Sequence, residues 1–182
     1  NLTTLAFAGE IELDSLDGVP VVYQHFFYQA EQSVTYHIKR IMNGYMPPLA
    51  ADPDNLINAA EADERIQLSG DQRRAIRAAL TNKITIITGG PGTGKTTIIN
   101  FIVKIFKQMG ISVGLAAPTG RAAKRITETS GVEAMTIHRL LEYVYSEDEN
   151  EMEFGRNAEN PLEEDSFIVD EASMIDLMLM DG

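Results

Sequence analysis

The chain has no cysteine and no tryptophan, and its three histidines, His25, His37 and His138, lie far apart. Without cysteine there can be no disulfide and no thiolate metal site, and the histidine spacing fits no zinc cluster. No apolar run approaches the roughly 20 residues that a membrane-spanning helix needs, and no secretory leader opens the chain. These absences predict a soluble, cytoplasmic protein. Basic residues are also scarce, with 15 Lys and Arg against 27 Asp and Glu and a net charge of −12. Nucleic-acid binding is dominated by Lys and Arg, so this balance argues against such a partner. Its distribution weakens the objection. Residues 146–165 hold nine acids against one base, Arg156, and so carry −8 of the −12.

What is present is a chain of 182 residues, 44% hydrophobic, enough for one domain with a small appendage. It begins at Asn1 rather than Met and stops at Gly182 just after an apolar run, which reads as a piece of something longer.

The most informative stretch is Ile84-Thr85-Ile86-Ile87-Thr88-Gly89-Gly90-Pro91-Gly92-Thr93-Gly94-Lys95-Thr96-Thr97. β-Branched residues lead into a loop with the spacing Gly-x4-Gly-Lys-Thr, and Ile98, Ile99, Ile102, Val103 and Phe106 follow at helical spacing. The pattern predicts a strand over 84–88, a glycine-rich loop and a helix. Glycines let backbone N–H groups curl around a phosphate with no Cβ in the way, and the helix N-terminus behind them favours negative charge. In such a loop Gly90, Pro91, Gly92, Thr93, Gly94, Lys95, Thr96 and Thr97 surround the phosphates of ATP. Lys95 reaches the β- and γ-phosphates, and the Thr96 hydroxyl is placed for Mg²⁺. The alternative is a strand-to-helix turn that binds nothing, and the flanking apolar patterns argue against it.

Elsewhere, Glu10 to Asp14 alternates with period two, Asp17-Gly18 signals a turn, and Val19 to Tyr23 is again strand-like, which predicts a hairpin. Phe27, Ala30, Val34, Ile38, Ile41 and Tyr45 mark one amphipathic helix, ended by Gly44 and Pro47-Pro48. Residues 1–50 thus form a hairpin-helix region, residues 51–66 a linker with a short helix from Asp52-Pro53, and residues 67–182 the main domain. Ser69 and Gln72 fit a capping box; the competing role for Gln72 is contact with an adenine bound nearby. A second strand is expected over 112–117. Thr119 then caps a helix that starts with Arg121, Lys124 and Arg125, and Thr136 caps another at Ile137-His138-Arg139. The basic residues suit either a solvated helix face or a phosphate backbone, and a lone His138 is more often structural than catalytic. The acidic stretch reads as a solvated loop or partly disordered insertion.

Phe167-Ile168-Val169-Asp170-Glu171 is a short apolar run ending in two carboxylates. A strand covered on both faces needs such a run, and its C-terminal end is where ligands bind in open parallel sheets. Asp170 suits Mg²⁺ held through water, and Glu171 suits a base that polarises a water aimed at the γ-phosphate.

Taken together, Gly89 to Thr97, Ala117-Pro118-Thr119-Gly120-Arg121-Ala122-Ala123, Thr136-Ile137-His138-Arg139-Leu140-Leu141 and Val169 to Asp176 resemble motifs I, Ia, Ib and II of superfamily 1 helicases. They are most similar to the RecD-like group that includes the exodeoxyribonuclease V alpha subunit. Leu68-Ser69-Gly70-Asp71-Gln72 sits at the Q-motif position, which turns the balance for Gln72 towards adenine. The resemblance covers residues 66–182 and implies an α/β fold, a RecA-like P-loop parallel sheet with flanking helices, incomplete at its C-terminal end. It implies ATP-driven 5′-to-3′ movement on single-stranded DNA, unwinding, and work in recombination and repair, alone or beside nuclease and helicase subunits. Thr119, Arg121, Thr136 and His138 fall on positions that line the DNA track. Motifs III to VI and the second lobe would lie past Gly182, so the chain alone is expected to bind ATP without unwinding DNA. The resemblance also implies that strand 84–88 and the strand ending at Asp170 are not neighbours. Rival readings are another P-loop NTPase, such as a loader or kinase, or a nucleotide-binding module that does not hydrolyse.

Overall fold

The computed structural model describes residues 1–146 and 151–181. Internal contacts divide the chain into two units, residues 1–44 with 175–182, and residues 45–174.

The first unit starts with helix α1 (Leu2–Phe7), capped by the Asn1 side chain, and continues into β1 (Ile11–Leu16) and β2 (Val19–Gln24). The strands pair antiparallel from Ile11↔Gln24 to Leu16↔Val19. That register leaves a two-residue turn, Asp17-Gly18, with φ of 50° and 80°. Both values are positive, as the twist-matched type I′ turn requires, and Asp-Gly is among the pairs that accept them. Helix α2 (His25–Asn43) follows and buries Ala30, with the terminal helix Leu177–Asp181 packed against it.

In the second unit, α3 (Pro53–Glu64) begins at an Asp52 cap with proline in its first turn. Helix α4 (Gly70–Thr81) begins at a complete Ser69–Gln72 capping box. Ion pairs tie the helices together: Arg73 and Arg77 reach back to Glu61 and Asp54 of α3, and Lys104 of α5 (Lys95–Gln108) reaches Asp63 and Glu64. Helix α5 is the hub of the core. One side packs Ile98, Phe101, Ile102, Ile105 and Phe106 on Ile57, Ala60, Leu68, Ile76 and Leu80, while Val103 faces Leu115, Ala117, Ala123 and Ile126.

Beyond Gly110, which takes the positive φ that ends α5, come β3 (Val113–Ala117), α6 (Gly120–Ser130), β4 (Ala134–Thr136) and α7 (Ile137–Leu140). Strands β5 (Tyr143–Ser146) and β6 (Glu151–Phe154) pair antiparallel, and β7 (Ser166–Val169) completes a parallel sheet of order β4-β3-β7. Strand β3 is central and buried, in register Leu115↔Ala134 on one side and Leu115↔Ile168 on the other.

Three features differ from the sequence expectation. Strand β4 was not foreseen, because three residues show no period of their own. The acidic stretch was expected to be a solvated loop or partly disordered insertion, yet it contributes β6 to a hairpin; its residues 147–150 lie outside the described residues. The third is residues 84–88, which make no ladder among the described residues. Their exposure still alternates as in a strand, with Ile86 at 87% and Thr85 and Ile87 half-buried. Ile87 packs on the α4–α5 core and the Thr85 hydroxyl donates to the Ala78 carbonyl at 3.1 Å. A strand needs a partner to form a ladder, and β7 spends one edge on β3. Its other edge faces a cavity of about 190 Å³ lined by Thr85, Ile87, Ile98, Ile102, Phe167 and Ile168, so segment 84–88 and β7 are not bonded to each other.

Candidate nucleotide-binding site

Residues 89–94 turn sharply because Gly92 and Gly94 hold φ of 74° and 82°, where a side chain would be strained. A Cβ at Gly89 would sit 2.7 Å from Thr93 Oγ1, so a side chain there would displace that hydroxyl. The Thr93 hydroxyl donates to the Gly90 carbonyl at 2.9 Å and closes the loop on itself.

The start of α5 is unlike its neighbours. Helices α3, α4, α6 and α7 each have a side chain at the N-cap that accepts from the first turn: Asp52, Ser69, Thr119 and Thr136. Helix α5 has Gly94, which has no side chain to offer, so its first-turn N–H groups and the positive end of its dipole are left for an outside anion. Lys95 sits at the first position of that helix. Its ammonium has three donors; bonds run to Gly89 O at 2.7 Å and Gly90 O at 3.1 Å. Both acceptors are neutral carbonyls, which a phosphate oxygen would outcompete as a charged partner.

Asp170 follows directly on β7, and its N–H donates to Ala116 O at 3.0 Å, extending the β3–β7 pairing by one step. Asp170 and the loop lysine Lys95 both line the cavity beside the free edge of β7. Glu171 comes next, exposed and with φ of 54°, a left-handed conformation that a non-glycine residue adopts at some cost. Its N–H bonds to Asp170 Oδ1 at 2.9 Å, which fixes that carboxylate from behind. Among the described residues no cluster of three or more His, Cys, Asp or Glu could hold a metal. The oxygen donors offered here, the Thr96 hydroxyl and the Asp170 carboxylate, are few and hard. That suits Mg²⁺, which keeps most of its waters.

Gln72 divides its carboxamide between two tasks. Oε1 accepts from the Ser69 N–H at 2.9 Å, as a capping box requires, and Nε2 donates to Thr93 O in the loop at 3.3 Å.

The remaining candidates lie along the C-terminal edge of the parallel sheet. Thr119 and Arg121 follow β3, Thr136 ends β4, and His138 is in α7. Both threonines accept from first-turn N–H groups, Thr119 from Ala122 at 3.3 Å and Thr136 from Arg139 at 3.2 Å. That use occupies a lone pair, and among the described residues neither O–H has an acceptor. Arg121 and His138 are exposed. The His138 ring stands edge-on to Tyr143 at 5.3 Å, and Tyr143 in turn packs on Phe154 at 4.7 Å. These two aromatic partners were missed in the sequence. The alternation Glu151-Met152-Glu153-Phe154 was the signal for their hairpin, hidden under the charge.

A parallel sheet with a glycine loop entering an uncapped helix, and an acid at the end of a neighbouring strand, defines a P-loop NTPase lobe. The chain belongs to the AAA domain family, which matches residues 72–181, and within it is RecD-like. It is 33% identical over 159 residues to the ATP-dependent RecD2 DNA helicase of Deinococcus radiodurans, covering 87% of this chain and 21% of that protein. It is 30% identical over 193 residues to the RecD subunit of the RecBCD enzyme of Haemophilus influenzae, covering 88% and 29%. The corresponding subunit of Mycolicibacterium smegmatis is 34% identical over 133 residues, with 60% and 24% covered. The chain thus spans under a third of the length of these relatives. No helix among the described residues is long and apolar enough to cross a membrane.

Proposed function

We propose that this chain is the nucleotide-binding lobe of an ATP-dependent DNA helicase that serves recombination and repair. The observation that carries the reading is the side-chain-free N-terminus of α5, with Lys95 at its first position, in a lobe whose strand β7 is followed directly by Asp170. In this reading the backbone N–H groups from Gly90 to Thr97 and the Lys95 ammonium bind the phosphates of ATP. Thr96 and, through water, Asp170 would hold Mg²⁺, which would supply positive charge to the phosphate oxygens. Glu171 accepts the proton of the attacking water, and Gln72 reads the adenine.

Thr119, Arg121, Thr136 and His138 form the DNA side of the lobe, along which single-stranded DNA is passed in the 5′-to-3′ sense. Two hydroxyls, a guanidinium and an imidazole suit phosphate and base contacts, and an acidic chain can still bind DNA where a local groove is polar and positive. The RecBCD subunits among the relatives support nuclease and helicase subunits as partners. The lobe by itself binds ATP and does not unwind DNA.

The test is Glu171→Gln in the full-length protein, assayed with saturating single-stranded DNA. The amide keeps the shape but takes no proton, so ATP binding persists while turnover falls about a hundredfold or more. Turnover equal to that of the parent would remove Glu171 from the chemistry and favour a nucleotide-binding module.

A further inference from the structure

We infer that Gln72 is a positioning residue for the phosphate loop, acting on the polyphosphate end of any nucleotide and independently of the base. The inference rests on the nucleotide-binding reading above and adds to it.

Three observations converge. First, the orientation of the carboxamide is determined by its partners: Ser69 presents an N–H and Thr93 presents a carbonyl, so only Oε1 towards Ser69 and Nε2 towards Thr93 satisfies both. Second, the amide lies directly over the loop. A Cβ built on Gly94 would be 2.3 Å from Gln72 Nε2, so the absent side chain of Gly94 makes room for Gln72 as well as permitting φ of 82°. Third, the Thr93–Gly94 peptide is trans, as are all the others described. In a trans peptide the C=O and the next N–H point in opposite directions. Holding Thr93 O towards α4 therefore turns the Gly94 N–H away from α4. Gly94 is the N-cap of α5, so this N–H is one of the donors at the helix entrance where the phosphate is bound.

The capping box makes the hold firm. Because Oε1 is engaged at the start of α4, the side chain is a short strut between that helix and the loop, and the loop need not be ordered anew when a phosphate arrives. One N–H and one lone pair of the carboxamide stay free, so contact with an adenine is compatible with this role but is not its source.

The test uses the 182-residue chain with Mg²⁺ and two probes, ATP and inorganic tripolyphosphate, which has the phosphates but no base. Affinities are read by displacement of a fluorescent ATP analogue. Gln72→Ala should weaken both probes by about fivefold, the worth of one lost hydrogen bond. Gln72→Met, neutral and of similar length, loses the donor to Thr93 without adding charge near the phosphates, so it should weaken tripolyphosphate to a similar extent. Ser69→Ala removes the cap hydroxyl without touching the Gln72–Thr93 bond; it should lower stability and leave tripolyphosphate affinity unchanged.

A loss confined to ATP in both Gln72 variants would make Gln72 a base contact only and overturn the inference, with the nucleotide-binding reading intact. A loss of tripolyphosphate binding in Ser69→Ala equal to that in Gln72→Ala would overturn it too, by reducing Gln72 to a helix cap. A parent chain that bound neither probe would remove the nucleotide-binding reading and this inference with it.

Discussion

Ser112 and Asp165 are joined by three hydrogen bonds: the Ser112 N–H and hydroxyl both donate to Asp165 Oδ2, at 2.9 and 2.6 Å, and the same hydroxyl accepts from the Asp165 N–H at 2.9 Å. The two residues precede β3 and β7, so the clamp sets the register Val113↔Ser166 that delivers Asp170 to the end of the sheet.

The two bonds from Ser112 hold the Asp165 carboxyl below its ordinary value. A depressed folded-state pKa means stability that is present above the unfolded value and lost as pH falls through the folded one. Ser112→Ala should therefore lower the melting temperature at neutral pH, and its gap from the parent should narrow as pH drops through and below the usual aspartate range. A gap that is constant from neutral to strongly acidic pH would show that the clamp does not act through the carboxylate.

Ile105 has no exposed surface and lies where α5 meets α3 and α4. Truncation to alanine removes three buried carbons and leaves a cavity, at a cost of about 2–5 kcal/mol. Denaturant unfolding of Ile105→Ala should show a loss of that order, a large part of the stability of a domain of this size. A loss within about 0.5 kcal/mol, the range of surface substitutions, would contradict the placement of α5 as the hub.

Gly94→Ala meets two obstacles: a positive φ that costs a non-glycine residue about 1–2 kcal/mol, and the Gln72 amide 2.3 Å from the new Cβ. The amide end can swing away, so the chain should fold with modestly lowered stability and clearly weakened ATP binding. Unchanged ATP affinity would mean that neither the turn nor the amide matters to the loop.

The sequence was most legible where a local rule and the tertiary structure agree. Asp17-Gly18 announced its turn, Ser69 and Gln72 their capping box, and Thr119 and Thr136 the caps of α6 and α7, because each depends on a few neighbours in the chain. The glycine loop was legible for the same reason, since its spacing encodes its own turn. What stayed hidden depended on partners distant in sequence. Strand β4 exists because Ala134 to Thr136 lie beside Leu115 to Ala117. Residues 84–88 have the composition of a strand, yet a ladder requires an adjacent edge, and none is bonded to them among the described residues. At the site, the residue types could be read, but not that the Gln72 amide serves two partners at once or that Glu171 takes a left-handed conformation. Charge was the most misleading signal, because the acids of 146–165 masked the alternation of β6.

The central claim, that the loop from Gly89 to Thr97 binds the phosphates of a nucleotide, is tested most directly by titrating ATP with Mg²⁺ into the chain and into Lys95→Ala and comparing affinities. Among the described residues Lys95 bonds only neutral carbonyls, Gly89 O and Gly90 O, and its loss removes a charged phosphate contact of about 3 kcal/mol. The account predicts ATP and ADP binding by the parent chain and a drop of roughly a hundredfold in the variant. Equal affinity in the two proteins would contradict it.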